Sequence, residues 1–106
     1  MDARALSPKI SVAPQITADD IAKAKAAGFR AIICNRPDGE AADQPVFAEI
    51  EAAAKKAGLE ARYIPIVAGK VSAEDAATFG KALIELPGPV LAYCRTGTRS
   101  TTLWSL

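Results

Sequence analysis

The chain has 106 residues, enough for one domain of ordinary size and too few for two catalytic domains. Half of the residues are hydrophobic, 24% are charged and the formal net charge is +1, which excludes a disordered chain and a strongly basic nucleic-acid-binding surface. No apolar run approaches the roughly 20 residues that span a bilayer, and the N-terminus lacks the apolar segment of a signal peptide. We therefore expect a cytoplasmic protein that binds neither nucleic acid nor a membrane.

The chain contains no histidine and only two cysteines, Cys34 and Cys94. Two cysteines cannot form a disulfide framework, so we interpret Cys34 as a core residue and Cys94 as a reactive one. The absence of histidine excludes Ser-His-Asp catalysis, Cys-His catalysis and a zinc site that uses imidazole. We expect no metal and no organic cofactor, and a nucleophile in this chain has to be activated by backbone dipoles and arginine.

Two strands and one helix are predicted in the first part of the chain. The alternating pattern of residues 9–13 predicts a short strand at a sheet edge. A helix begins after Thr17, which is followed by acidic residues, and ends at Gly28. The apolar run 29–35 predicts the second strand, and the Pro-Asp-Gly sequence at 37–39 predicts a turn after it.

The second part of the chain continues the alternation of helices and strands. Composition predicts a helix over residues 45–57, a strand over 60–67, a helix from the N-cap Ser72 to Leu86, and a strand over 90–93. This order is typical of an α/β fold with a mostly parallel central sheet flanked by helices. Ligands bind beyond the carboxyl ends of the strands in such sheets, so the loops after the second and last strands are expected to share one site.

The segment Cys94-Arg95-Thr96-Gly97-Thr98-Arg99-Ser100, the Cys94 loop, turns from the last strand into a helix. Such a turn points several backbone N–H groups at one spot and adds the positive potential of a helix N-terminus, which together bind an anion. We predict that Cys94 is a nucleophile and that Arg99 clamps the bound anion. Further anion or substrate contacts are predicted for Arg95, Thr96, Gly97, Thr98, Ser100, Arg36 and Asp38.

Some of these residues also fit structural roles. The hydroxyl groups of Thr98 and Ser100 can hydrogen-bond the thiolate or cap the last helix, and capping is favoured. Arg36 and Asp38 can contact substrate or pair with each other and stabilise their turn. Trp104 is expected to pack into the core.

The Cys94 loop resembles the cysteine loops of rhodanese-type sulfurtransferases and of cysteine-dependent tyrosine and dual-specificity phosphatases. The chain also carries Asn-Arg-Pro-Asp-Gly-Glu at 35–40, Tyr-Ile-Pro-Ile at 63–66 and Gly-Pro-Val-Leu-Ala-Tyr-Cys at 88–94. With these motifs, residues 11–106 resemble the bacterial family named for the phosphatase-like domain of β-lactamase-hydrolase-like proteins. The resemblance implies a cysteine phosphatase-like fold and, as a fused or interacting partner, a metallo-β-lactamase-fold protein.

The extent of the domain follows from the same resemblance. We expect residues 1–106 to form a single phosphatase-like or rhodanese-like domain. Only about seven residues follow Arg99, fewer than a helix that covers a sheet normally needs, so we expect the last helix to be truncated. A homo-oligomer is left open.

The two resembling families differ in the number of residues between the cysteine and the arginine of the loop. Phosphatases of this class place the arginine six positions after the cysteine, whereas Arg99 lies five positions after Cys94, which is the rhodanese pattern. Dual-specificity phosphatases commonly carry an aspartate general acid in the loop after the strand that resembles residues 63–66, but this chain has Val-Ala-Gly-Lys there. Asp38, in the neighbouring loop, is the available substitute.

We therefore expect a rhodanese-like sulfurtransferase that carries sulfane sulfur as a persulfide on Cys94. Its partners are then a small anionic substrate or persulfide donor and a thiol acceptor. The alternatives are a cysteine-dependent phosphatase that forms a phosphocysteine, and a non-catalytic anion-binding module.

Overall fold

Four parallel strands and one antiparallel edge strand form the sheet of the computed structural model, which describes residues 1–106. The strands are β1 (Arg4–Ala5), β2 (Ile10–Ala13), β3 (Ala31–Cys34), β4 (Glu60–Tyr63) and β5 (Val90–Tyr93). Their order across the sheet is β1-β2-β5-β3-β4. The predicted α/β fold with a mostly parallel sheet is confirmed.

Four helices cover the two faces of this sheet. They are α1 (Ala18–Ala26), α2 (Phe47–Ala57), α3 (Ala73–Glu85) and α4 (Thr98–Ser105). On one face, Ile21 of α1 and Ile50 of α2 pack against the sheet, and on the other face Phe79 of α3 and Leu103 of α4 do so. Because both faces are covered, β2, β3 and β5 are buried along their whole length, and apart from Ser11 in β2 all their residues are apolar.

The prediction that the first strand lies at the sheet edge is wrong. Strand β2 pairs in parallel with β5 on one side and in antiparallel register with β1 on the other. The true edge on this side is β1, which has only two exposed residues. A strand that short leaves no alternating pattern in the sequence, so it escaped prediction.

Strand β4 ends four residues earlier than predicted. It stops at Tyr63 instead of continuing to residue 67. Pro65 has no N–H and cannot donate to the ladder. The N–H groups of Ile64 and Ile66 still donate to carbonyl groups at and after the end of β3, at 2.8 and 3.0 Å, so this segment continues alongside β3 towards the Cys94 loop.

The predicted helix ends are close to those observed. Ser72 is the N-cap of α3, and its Oγ accepts a hydrogen bond from the Asp75 N–H at 3.1 Å. Helix α2 begins two residues after Pro45, and α3 ends one residue before Leu86. The longest helix is α3 with 13 residues, and none of the four has the length and apolarity that crossing a bilayer requires.

The prediction that Trp104 packs into the core is wrong, because 42% of its surface is exposed. The buried side of α4 carries Arg99, Ser100 and Leu103. Successive helical residues point about 100° apart, so the position after Leu103 turns away from the sheet.

Candidate active site

The Cys94 loop is shaped by one glycine. Gly97 is the N-cap of α4 and has a φ of +90°, in the left-handed region that side chains disfavour. In this conformation the Gly97 N–H donates to the Sγ of Cys94, with nitrogen and sulfur 3.0 Å apart. The Thr98 N–H donates to Oγ1 of Thr96 at 3.4 Å, and no side chain takes the next N–H groups of α4, which leaves them free to bond the sulfur as well.

Two opposing effects set the pKa of the Cys94 thiol. Burial raises this pKa, because Cys94 has no exposed surface and its thiolate is desolvated. Four backbone N–H groups lower it by hydrogen-bonding the thiolate: those of Ser100, Thr96, Arg99 and Gly97. The hydrogen bonds outweigh burial, so the pKa lies below its ordinary value and the nucleophilic thiolate is favoured.

Arg99 is a buried cation, with 8% of its surface exposed. Its Nη1 donates to Oε2 of Glu40 at 2.6 Å and to the carbonyl oxygen of Ile66 at 2.9 Å, and its Nη2 donates to Oε1 of Glu40 at 2.8 Å. These bonds use three of the five guanidinium N–H groups. The Nε–H and one Nη2–H remain available to an anion.

Glu40 also joins Arg99 to a second buried arginine. Oε1 of Glu40 accepts a hydrogen bond from Nε of Arg36 at 3.0 Å, and Nη1 of Arg36 donates to Oε1 of Gln15 at 3.0 Å. The hydrogen bond from Arg99 and the further contact with Arg36 lower the pKa of Glu40 to about 2, despite partial burial. The hydrogen bond to Glu40 raises the pKa of Arg99 in return. Glu40 is therefore a carboxylate held between two guanidinium groups.

The uncharged side chains of Asn35 and Ser100 form a hydrogen-bonded pair beneath the Cys94 loop. Asn35 is completely buried, its Nδ2 donates to the carbonyl oxygen of Ile64 at 3.0 Å, and its Oδ1 accepts from the Ser100 hydroxyl at 2.8 Å. The backbone of Asn35 also bonds to Tyr93 and Ile66. Asn35 thus ties β5, the segment after β4 and α4 to the end of β3.

A cleft of about 570 Å³ lies above the Cys94 loop. Its walls are Arg36, Glu40, Ala41, Ala68, Gly69, Arg95, Thr96, Thr98 and Arg99. Three of these residues are arginines and one is a carboxylate, so the cleft is positively charged and suits an anion.

The structure brings most of the predicted site residues together. Arg36, Arg95, Thr96, Thr98 and Arg99 line the cleft, whereas Gly97 and Ser100 are buried and do not line it.

Asp38 is the second predicted contact outside the Cys94 loop, after Arg36. It does not line the cleft, and its Oδ1 accepts a hydrogen bond from the first N–H of α2, at Phe47, at 2.8 Å. The predicted pairing of Asp38 with Arg36 is also wrong, since Arg36 pairs with Glu40.

The predicted capping of α4 by Thr98 or Ser100 is wrong. Thr98 is the first residue of the helix, and its Oγ1 accepts from the Thr96 hydroxyl at 3.0 Å. Ser100 uses its hydroxyl on Asn35 instead. A side-chain cap would compete for the N–H groups that the Cys94 sulfur uses.

Sequence reasoning missed two residues of the site, Glu40 and Asn35. Glu40 stood in the same turn motif as Arg36, four positions later, and that spacing was the available signal for an ion pair. Asn35 gave no signal, because an asparagine after a strand most often serves in a turn. Cys34 is buried against the core, as predicted, with 2% of its surface exposed.

The Cys94 loop holds a cysteine beneath backbone N–H groups and contains a buried arginine, and it follows a strand of a mostly parallel sheet. These features define a cysteine phosphatase-like domain. The chain belongs to the family described as "Beta-lactamase hydrolase-like protein, phosphatase-like domain", whose model matches residues 2–106. The predicted family is confirmed, and so is the predicted class of an enzyme with a cysteine nucleophile, given as a sulfurtransferase or a phosphatase-like hydrolase.

Two bacterial proteins show this relationship. The beta-lactamase hydrolase-like protein of Agrobacterium fabrum is 35% identical over 106 residues, which is all of this chain and 25% of that protein. The chain thus spans about a quarter of the length of this curated relative. A phosphatase candidate from Neisseria meningitidis, whose crystal structure is known, is 39% identical and has a TM-score of 0.89 over 94% of this chain and 71% of that one.

A more distant structure shows the same fold. The core catalytic domain of the PP-IP phosphatase SIW14 from S. cerevisiae has a TM-score of 0.74 at 12% identity, over 95% of this chain and 60% of that one. These matches favour the phosphatase alternative over the sulfurtransferase interpretation.

Proposed function

We propose that this domain is a cysteine-dependent phosphatase that hydrolyses a phosphoryl compound through a phosphocysteine on Cys94. The observation that carries the proposal is the Cys94 sulfur at the N-terminus of α4, where it accepts the Gly97 N–H at 3.0 Å, beside an arginine with two unused donors. This arrangement stabilises a thiolate and can also bind the oxygens of a tetrahedral oxyanion. The phosphatase-like relatives support the same chemistry.

The reaction has two displacements. The Cys94 thiolate attacks phosphorus, the S–P bond forms, and the P–O bond to the leaving group breaks with its electron pair staying on that oxygen. Water then attacks the phosphocysteine, which forms a new P–O bond and releases the thiolate, and both protons of the water end on the released phosphate until it exchanges them with solvent. No electrons are exchanged with an oxidant or reductant.

The arginines of the cleft have separate roles in this scheme. Arg99 holds the transferred phosphoryl group through its Nε–H and free Nη2–H. Arg95 is exposed at the cleft wall, forms no ion pair, and binds the leaving-group side of an anionic substrate. Thr96 and Thr98 offer hydroxyl groups on the same wall.

Substrate access requires a movement of the loop. Cys94 has no exposed surface in this structure, whereas residues 95, 96 and 98 form the floor and walls of the cleft above it. The loop therefore has to open enough for the sulfur to reach phosphorus, and an oxyanion that takes over the N–H bonds would hold it in that form.

Sulfur transfer is the second candidate, and one observation favours it. Arg99 follows Cys94 by five positions, which makes a tighter loop than the resembling phosphatases have and fits a single terminal sulfur. Two buried free thiols also fit the reducing cytoplasm that we propose as the location of the protein.

The expected metallo-β-lactamase-fold partner and the homo-oligomer remain predictions.

One comparison of activities tests the proposal. The chain is assayed in parallel with 2,4-dinitrophenyl phosphate and with thiosulfate plus cyanide, and the Cys94 adduct is identified by mass spectrometry after an acid quench. We expect turnover of the phosphate ester and a phosphate adduct on Cys94. Sulfur transfer without ester hydrolysis, with one added sulfur on Cys94, would contradict the proposal.

A further inference from the structure

The cleft contains one carboxylate, and both of its oxygens are occupied. Oε2 of Glu40 bonds to Arg99, and Oε1 bonds to both Arg99 and Arg36. The two arginines are buried, with 8% and 6% of their surfaces exposed. Protonation of Glu40 would weaken three charge-assisted hydrogen bonds and leave two buried guanidinium groups without their counter-charge, so Glu40 stays ionised.

A carboxylate in this state cannot deliver a proton to a leaving group. A general acid must be protonated before the bond breaks, and its pKa has to lie near the working pH. The two arginines hold the pKa of Glu40 at about 2, far below that range. Its hydrogen bonds also point to the arginines rather than into open cleft.

No other side chain of the cleft supplies the proton. The remaining lining residues are arginines, threonines, alanines and a glycine, none of which is an acid near neutral pH. Asp38 is engaged with the N-terminus of α2 through the Phe47 N–H and does not line the cleft. The loop after β4 contributes Ala68 and Gly69 to the wall.

Glu40 instead orients the guanidinium group of Arg99. Together with the carbonyl oxygen of Ile66 it fixes three N–H groups of Arg99, which leaves the guanidinium plane a single orientation. The two N–H groups that remain lie along one edge of that plane, as a fork that matches two oxygens of a tetrahedral anion.

We propose that Glu40 is the positioning residue of Arg99, and that the site therefore acts on phosphoryl groups whose leaving group departs without a proton. Phosphoanhydrides, acyl phosphates and esters of acidic phenols belong to this class, whereas alkyl phosphates do not. In the first displacement the S–P bond forms and the leaving-group oxygen departs as an anion, to be protonated later by solvent. This inference rests on the proposed phosphatase function.

A series of aryl phosphates tests the substrate class. The esters range from 2,4-dinitrophenyl through 4-nitrophenyl to phenyl phosphate, and kcat/KM is plotted against the pKa of the phenol. We expect a fall of about tenfold for each unit of phenol pKa, because no proton offsets the developing charge. Similar kcat/KM values across the series would show that a general acid operates and would overturn the inference.

The Glu40→Gln variant separates positioning from proton donation. Loss of a positioning residue lowers kcat/KM by the same factor for every ester, whereas loss of a general acid spares the dinitrophenyl ester and slows the phenyl ester. We expect a uniform loss of about tenfold or more. Glu49→Gln, the same change on the exposed side of α2, is the matched control. A loss confined to the phenyl ester, in Glu40→Gln or in Asp38→Asn, would overturn the inference.

Binding of tungstate, a tetrahedral oxyanion, provides a readout that needs no turnover. Calorimetry on the folded Glu40→Gln variant is expected to show at least about tenfold weaker binding than in Glu49→Gln. Unchanged affinity would overturn the positioning role. Absence of turnover with every ester, together with weakened tungstate binding, would overturn the proposed phosphatase function and leave the positioning of Arg99 standing.

Discussion

The two cysteines of this protein lie one strand apart and have opposite chemistry. Cys34 ends β3 beside Tyr93, which ends β5, and Cys94 follows directly. Both side chains are almost completely buried, with 2% and 0% of their surfaces exposed. Burial raises the pKa of Cys34, and its hydrogen bond to the Arg36 carbonyl does not offset this, whereas the loop N–H groups lower the pKa of Cys94 below its ordinary value. Backbone donors, and not exposure, distinguish the reactive thiol.

The strongest test of this contrast removes each sulfur in turn. Cys94→Ser is expected to lower kcat for 2,4-dinitrophenyl phosphate by at least about a thousandfold, because a serine hydroxyl is not ionised in this loop. Cys34→Ala is expected to keep kcat within about threefold, since the sulfur of Cys34 bonds the Arg36 carbonyl and accepts no N–H of the Cys94 loop. Steady-state kinetics on both variants checks this. Comparable losses in the two variants would mean that Cys94 has no special role.

A second test removes the support beneath the loop. Asn35→Ala leaves the Ser100 hydroxyl and the Ile64 carbonyl without their buried partner, so we expect the free energy of unfolding to fall by about 2 to 4 kcal/mol. Urea denaturation measures the change. Thr102→Ala, which removes an exposed hydroxyl further along α4, is the control and should cost well under half as much. Equal costs would contradict the supporting role of Asn35.

A third test disturbs the turn that brings N–H groups to the sulfur. Gly97→Ala forces a side chain into the left-handed region, and we expect a loss of about 1 to 2 kcal/mol in unfolding free energy. A Cβ there would meet nothing closer than 3.6 Å, so the cost comes from the backbone and not from a clash. If the turn relaxes, the Cys94 pKa rises towards that of Cys34. Unchanged stability and an unchanged Cys94 pKa would contradict this account of the turn.

The smallest expected effect is a difference in alkylation rate between the two thiols. The pKa of Cys94 is lowered, so its thiolate persists to lower pH than an ordinary thiolate, while the raised pKa of Cys34 keeps that thiol protonated. Iodoacetamide at pH 7, followed by mass spectrometry, should modify Cys94 about tenfold faster or more. The pH midpoint of its alkylation should lie below that of Cys34. Faster alkylation of Cys34, or a lower pH midpoint for Cys34, would contradict the contrast between the two thiols.

Much of the fold follows from local sequence patterns. An alternating pattern is sufficient to place β2 and apolar runs to place β3 and β5, and the N-cap at Ser72 can be predicted because it depends on residues within one turn. The two-residue β1 has no such pattern, and the early end of β4 depends on where its neighbour's carbonyl groups lie. Local signals therefore predict the elements but not the sheet edges.

The residues of the site also divide into those that the local sequence indicates and those that it does not. Cys94, Gly97 and Arg99 lie within six consecutive residues, and their spacing indicates an anion-binding turn. Glu40 contacts Arg99 across 59 positions of sequence and Asn35 contacts Ser100 across 65, so neither partnership is visible before the chain folds. The preference for sulfur transfer came from loop length and from the missing aspartate after residues 63–66, and the family and its structures favour phosphatase chemistry instead.

The hydrogen bonds of Asn35 have a consequence for protein engineering. Asn35 links the Cys94 loop by hydrogen bonds to the ends of β3 and β5 and to the segment after β4. Transplanting residues 94–100 onto another parallel sheet would carry over the cysteine and the arginine but leave Ser100 and the recipient's carbonyl groups unmatched. A functional graft needs Asn35 and Glu40 as part of the same unit, although they are distant in sequence.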